Sequence, residues 1–349
     1  MAIIKKKKSV NQEEGRREIK SVVSQDMKCD FICEYCERFF DCDRPEKAKI
    51  YERRRMVSAR KALANIKHKI LVAGGKGGVG KSTCSANLAA GLAMMGLQTT
   101  VLDQDLDGSS IPKMLGVMEK RMQIGEDGLI PVEGPLGIQV VAMANLKEAG
   151  DAVVWFHEMR RNASEEFICH TDYGTRDILV VDLPPGTSSD NVSVVQLIPE
   201  ASGYVVVTAA SKVSQATARK AVIFGKKAGM RILGVIENMS GYICEHCGME
   251  DDLLPLGGGY DLAKEEDVPF LGKIPLDPGL ARSCDEGRPL VEALQGSPLA
   301  KIIQQILLKI LAQLNSDKQF GFADSDKLIE IGGDIDTILE RIKRKGETN

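Results

Sequence analysis

The chain has 349 residues, with 46 Lys and Arg against 49 Asp and Glu and a formal net charge of -3. Hydrophobic residues make up 43% and charged residues 27%, ordinary values for a soluble globular protein with a full core, and the length suits one large domain with appendages or two domains. The near-balanced charge argues against a nucleic-acid protein held by bulk electrostatics, no apolar run is long enough to span a bilayer, and the N-terminus lacks a secretory apolar region. The expectation is a cytoplasmic protein with no nucleic-acid partner and no stable membrane insertion.

Residues 1–28 are polar and charged and read as a flexible tail. Its basic run, Lys5 to Lys8, reads as solvated, and Glu13 and Glu14 behind it fit a transit peptide poorly. Nine cysteines in a reducing compartment are not a disulfide framework. Six of them fall in two tight clusters, which points to metal or iron–sulfur ligation. The first cluster, in segment 29–44, is Cys29, Cys33, Cys36 and Cys42, enough thiolates to close an iron–sulfur cluster or a zinc site within one chain. The spacing of Cys29, Cys33 and Cys36 also matches a radical-SAM triad, but the fold that follows does not. Residues 45–66, rich in Arg, Lys, Glu and Ala, read as a connecting helix.

Residues 67–315 read as the main domain. A buried strand over 68–73 enters a glycine-rich loop, Gly74 to Thr83, and a helix over 82–95 leaves it. The pattern G-x-x-x-x-G-K-[ST] is met by Gly75, Lys76, Gly77, Gly78, Val79, Gly80, Lys81 and Ser82. Its glycines let backbone N–H groups turn toward phosphate oxygens, and the helix N-terminus adds a favourable dipole. Lys81 would reach the β- and γ-phosphates and Ser82 would hold Mg²⁺. Lys76 is not needed to fill the loop; by itself it reads as a solvated lysine beside a turn. A second strand over 99–102 ends in Asp103, Gln104 and Asp105, and a third covers 138–141. A fourth over 177–181 ends in Asp182, two prolines and Gly186. Phosphoryl transfer needs Mg²⁺ and a group to orient water. Asp182 fits the metal role with Asp103 in support, and Asp105 fits the water-positioning role; the blander reading is solvated acids at strand ends. A fifth strand over 204–208, a helix over 214–228 and a sixth strand over 231–236 follow. Continuous apolar strands alternating with helices predict an α/β fold: a doubly wound, mostly parallel sheet with helices on both faces and ligand at the strands' C-terminal ends.

Asn238 stands after the sixth strand, where an Asn often caps or turns the chain. Cys244 and Cys247 then offer two thiolates, half of what a [4Fe–4S] cluster needs; zinc with other ligands or a redox pair are the competing readings. An amphipathic helix over 299–314 carries an apolar face of Ile302, Ile303, Ile306, Leu307, Ile310, Leu311 and Leu314, suited to closing the sheet. Residues 316–349 form a polar C-terminal extension with a short amphipathic helix over 334–345, read as docking on the chain's own body or a partner rather than on a membrane.

Five stretches, 74–83, 102–116, 180–190, 234–248 and 269–290, together resemble the Mrp family of iron–sulfur cluster carrier ATPases, within the MinD-like P-loop NTPases with a deviant Walker A motif. The run from Asp182 to Thr187, and Asn238, Met239 and Ser240 ahead of the Cys244/Cys247 pair, are its specific marks. The resemblance implies ATP, with Asn238 at the adenine, and a homodimer in which Lys76 reaches the other subunit's phosphates. It implies that Cys244 and Cys247 of two subunits bridge one labile [4Fe–4S] cluster, delivered to apo iron–sulfur proteins with slow Mg-dependent ATP hydrolysis. The Cys33, Cys36, Cys42 spacing resembles the eukaryotic cytosolic scaffold branch, whose first cysteine lies much further upstream than Cys29. Two departures are Glu245 where the family usually has proline, and Gly108, Ser109 and Ser110 where it usually has Gly-Pro-Ser. Two other functions share these motifs: an ATP-driven electron-transfer reductase, which would keep its cluster, and a MinD-like positioning ATPase, which would leave the clustered cysteines unused.

Overall fold

Apolar runs that stay buried on both faces become the central strands of one sheet. The structure, a computed structural model, describes residues 55–146, 157–198, 200–243, 250–251, 256–289 and 296–315. The four N-terminal cysteines, Cys244, Cys247 and the expected helix over 334–345 lie outside the described residues.

The strands are β1 (Ile66–Gly74), β2 (Thr99–Asp103), β3 (Gln123–Ile124), β4 (Leu129–Ile130), β5 (Val132–Glu133), β6 (Gln139–Val141), β7 (Arg176–Asp182), β8 (Gly203–Ala209), β9 (Ile232–Ile243), β10 (Glu250–Asp251) and β11 (Phe270–Leu276). Nine of them form one sheet in the order β10-β9-β8-β1-β7-β2-β6-β5, with β11 also paired to β9. Pairing is parallel from β11 through β9, β8, β1, β7 and β2 to β6; only β10 on β9 and β5 on β6 run antiparallel. Strands β3 and β4 make a separate hairpin. The helices are α1 (Lys81–Met94), α2 (Ile111–Met114), α3 (His157–Cys169), α4 (Ser189–Leu197), α5 (Lys212–Lys227), α6 (Gly258–Glu265), α7 (Pro278–Asp285) and α8 (Pro298–Asn315). The expected doubly wound sheet is therefore the observed one, with β1 between β7 and β8 so that its loop emerges at the centre of the C-terminal edge.

Three expectations change. Residues 55–62 are helical, but Ile66 belongs to β1, paired with Arg176, and not to the connecting helix. Strand β9 runs on to Ile243, so Asn238 sits inside a strand rather than in a turn after it. Strand β11 has no counterpart in the sequence reading, because Gly272, Lys273 and Pro275 break its apolar run; as an edge strand it tolerates the proline.

Helix α8 packs on β11 and α1 as its stripe requires. Ile303, Ile306, Leu307, Ile310, Leu311 and Leu314 are buried. Close approach depends on Gly91 in α1, where a Cβ would stand 2.4 Å from Leu307 Cδ1. Truncating Leu307→Ala in so tight a contact is expected to cost about 2–5 kcal/mol, because the cavity cannot collapse fully. Urea denaturation with an unchanged m-value reads this directly; a loss below about 0.5 kcal/mol, typical of surface positions, would contradict the packing.

Candidate nucleotide-binding site

The phosphate loop is shaped by what crowds it. Gly75 is glycine because α5 lies against it: a Cβ there would stand 2.2 Å from the Thr217 carbonyl carbon. Gly78 and Gly80 both sit at φ 80, the left-handed region that glycine enters without strain. A Cβ on Gly80 would also lie 2.0 Å from Asn238 Nδ2. Gly77 faces open space. Gly80 is the N-cap of α1 and supplies no side-chain cap, and the first turn carries no acid, so its leading N–H groups face the loop as an anion site.

Strand register supplies the charges. Asp103 at the end of β2 lies across from Asp182 at the end of β7. Asp182 is fully buried and accepts three hydrogen bonds: from Lys81 Nζ and Ser82 Oγ at Oδ2, each 2.6 Å, and from Ser85 Oγ at Oδ1, 2.6 Å. Asp103 is buried too and accepts from Ser109 Oγ (2.9 Å), the Asp105 amide (3.0 Å) and the Ile111 amide (3.3 Å). Burial, and then the charge of Asp182, push the Asp103 carboxyl up to about 7, with Lys81 and the hydrogen bonds from Ser109 and Asp105 pulling the other way. Asp105 is half-buried, and its Oδ1 accepts the Gly108 amide at 3.0 Å, closing the turn after β2. Lys76 is half-buried in the loop. Asn238 Nδ2 donates to the Val79 carbonyl at 2.9 Å. The structure thus brings together Gly75, Lys76, Gly77, Gly78, Val79, Gly80, Lys81, Ser82, Thr83, Asp103, Asp105, Asp182 and Asn238 at one edge of the sheet.

Three residues that matter here escape sequence reasoning. Asn191 in α4 donates to the Pro184 and Gly186 carbonyls (3.2 and 3.0 Å), stapling the turn after β7. Arg160 in α3 reaches Asp107 (2.5 Å) and Asp190 (3.5 Å), bridging the loop that follows β2 and the first turn of α4. Glu237, 1% exposed, accepts from Ser240 Oγ and from the Gly257 and Gly259 amides. Arg160 and Asn191 sit in helices with no motif, and the amide partners of Glu237 lie about twenty residues on. The remaining thiols are unsuited to chemistry: burial pushes Cys84 and Cys169 up to about 12 and raises Cys284 as well.

The profile of the ParA family described as NUBPL iron-transfer P-loop NTPase matches residues 65–311. The chain belongs to this family of P-loop NTPases. It is 38% identical over 257 residues to the protein named iron-sulfur cluster carrier protein of Saccharolobus solfataricus, covering 73% of this chain and 87% of that one. It is 39% identical over 256 residues to the cytosolic Fe-S cluster assembly factor NUBP2 of Bos taurus, covering 72% and 94%. Among solved structures, a nucleotide-binding protein from Archaeoglobus fulgidus in complex with ADP superposes with a TM-score of 0.60 at 30% identity, covering 70% of this chain and 94% of that one. The cell-division ATPase MinD of Pyrococcus furiosus, at 22% identity and a TM-score of 0.51, covers 70% and 98% and shares the fold. No described helix is long and apolar enough to cross a membrane.

The raised Asp103 gives a signed pH effect. Between its ordinary value of 3.8 and about 7 the folded state holds a proton that the unfolded state releases. Its stabilising contribution is therefore present below the ordinary value and lost as pH rises toward 7. The nucleotide-free protein is expected to lose more stability between about pH 5 and about pH 8 than the Asp103→Asn variant does. Equal losses in chemical denaturation would show that burial beside Asp182 does not raise the Asp103 carboxyl.

Proposed function

We propose that this chain is an ATP-dependent iron–sulfur cluster carrier or scaffold, which takes up a labile [4Fe–4S] cluster and passes it to apo iron–sulfur proteins. One observation carries the reading. Strand β9 holds Asn238 against the phosphate loop and ends at Ile243, next to Cys244 in sequence, and Tyr242 and Ile243 pair with Asp251 and Glu250, which follow the Cys244/Cys247 pair in sequence. The strand that bears Asn238 thus ends one residue before the first cysteine of the pair. The family, and the names borne by relatives from an archaeon and a mammal, support the same reading.

Each residue takes a role in it. Lys81 leaves Asp182 for the β- and γ-phosphates, and the α1 N–H groups accept the rest of their charge. Ser82 Oγ and Asp182 Oδ2, 2.6 Å apart, with Asp103 across from Asp182 in register, are hard oxygen donors. That set suits Mg²⁺, held by Ser82 and Asp182 with Asp103 in support. The ion would neutralise phosphate charge. Asp105 orients the attacking water, and Asn238 reads adenine. Lys76 reaches the phosphates of a second copy. The chain acts as a homodimer in the cytoplasm. Two copies pool Cys244 and Cys247 into the four thiolates a [4Fe–4S] cluster needs, and delivery exchanges those iron–thiolate bonds for ones to the acceptor's cysteines without a change of oxidation state. Cys29, Cys33, Cys36 and Cys42 hold a separate [4Fe–4S] cluster or a zinc ion. Hydrolysis is slow, because the useful output is conformational.

After anaerobic reconstitution with iron and sulfide, wild type is expected to transfer cluster to an apo iron–sulfur protein, and the Cys244→Ala/Cys247→Ala variant to fail. Undiminished transfer by the double variant would remove the bridging cluster from the account. Lys76→Ala is expected to lower ATP hydrolysis by about a hundredfold, the scale of losing one charge-stabilising donor, and to slow release while loading stays intact. Unchanged turnover would exclude a role for Lys76 at the phosphates.

A further inference from the structure

Glu237 is a carboxylate in the middle of a parallel sheet, paired in register with Thr208 and almost wholly buried. Such a group is costly unless its oxygens are hydrogen-bonded. Here they are: Oε1 accepts Ser240 Oγ at 2.5 Å and the Gly257 amide at 3.0 Å, and Oε2 accepts the Gly259 amide. Gly257, at φ 81, is the N-cap of α6 and offers no side-chain cap of its own. The Glu237 carboxylate therefore takes the place of a cap and binds the start of α6 to β9. The fit is close, since a Cβ on Gly259 would stand 2.7 Å from Glu237 Cβ.

The next residue faces the other way. Asn238 Nδ2 holds the Val79 carbonyl, and the Met239 methyl packs over Gly80, 3.7 Å from where a Cβ would stand. Met239 is also one of only a few non-glycine residues at positive φ among those described (φ 55), a left-handed conformation that persists only when its surroundings impose it. Glu237 and Ser240 fix both sides of this strained step. A rotation at Asn238 or Met239 is thus hindered on the Glu237 side, and the chain leads on through Ser240 and Gly241 (φ 69) to Tyr242 and Ile243, which pair with Asp251 and Glu250.

We propose that Glu237, through Ser240 and the start of α6, is a positioning residue that transmits nucleotide occupancy of the phosphate loop to the paired base, 242–243 with 250–251, of the Cys244/Cys247 stretch. Its significance for cluster release rests on the carrier reading; the mechanical coupling itself does not. Glu237→Gln turns an acceptor oxygen into an N–H facing N–H donors and opens the clamp. Ser240→Ala removes one donor and leaves the two amide contacts.

The test is hydrogen exchange on the full-length, cluster-free protein with and without Mg-ATP, followed in peptides from the phosphate loop and from the hairpin base. In wild type, ATP is expected to change exchange at both. In Glu237→Gln the phosphate-loop response persists while the hairpin response falls by about fivefold or more, the lower range of site-to-site coupling; Ser240→Ala gives a smaller loss in the same direction. A hairpin response that is absent in wild type, or equal to wild type in a folded Glu237→Gln or in Ser240→Ala, would overturn the proposal. Should Glu237→Gln fail to fold, the Ser240→Ala result decides. A wild-type protein that shows the hairpin response yet transfers no cluster would sink the carrier reading and leave the coupling standing.

Discussion

The buried carboxylate of Asp182 is the constraint on which the rest of the site depends. It ends the strand between β1 and β2 with no access to solvent, and Lys81, Ser82 and Ser85 satisfy it. Removing one partner of such a buried pair leaves an uncompensated charge, at a cost of about 3–5 kcal/mol. The first turn of α1 is therefore held to β7 before any nucleotide arrives. Backbone contacts repeat the fastening, with the Leu183 and Gly186 amides donating to the Val72 and Gly74 carbonyls (3.0 Å each). Because Asp103 lies one strand over in register, the same arrangement crowds two acids together. A cation bound with the nucleotide would relieve that crowding, which would give it a physical hold on the loops after β2 and β7.

Those loops do not float. Arg160 ties the loop after β2 to the first turn of α4 through Asp107 and Asp190, and Asn191 fastens the Pro184–Gly186 turn from inside α4. The Arg160 contacts are partly exposed and individually weak; the Asn191 contacts are buried and directional. Change at the phosphates therefore meets a soft link on one side of the site and a firm one on the other. On the β9 side the link is the firmest, because Glu237 is over-determined by three donors. The firmest fastening thus lies on the strand that also carries Asn238.

Much of this was legible in the sequence, for reasons particular to each element. β1, β2 and β7 are short apolar runs that end in the phosphate loop, Asp103 and Asp182, so both the strands and the chemistry at their ends are legible. The stripe of α8 is unambiguous because Ile303, Ile306, Leu307, Ile310 and Leu314 recur at helical spacing. β11 is hidden because Gly272, Lys273 and Pro275 interrupt its apolar run, while Leu271 and Ile274 are buried in the folded chain. Glu237 was hidden because an acid after an apolar run reads as a solvated strand end, while its amide partners lie more than a dozen residues on, beyond the cysteines. Gly75 was read as a glycine that frees the backbone; the contact with Thr217 adds that it is glycine because α5 leaves no room for more.

The central claim is that nucleotide state governs cluster delivery. The most direct measurement is the rate at which the reconstituted full-length protein gives its cluster to an apo iron–sulfur acceptor, followed anaerobically without nucleotide, with Mg-ADP and with Mg-ATP. The account predicts a rate that differs between the nucleotide-free and Mg-ATP states by about fivefold or more, the usual lower range for coupled sites. Transfer at one common rate in all three conditions would contradict it.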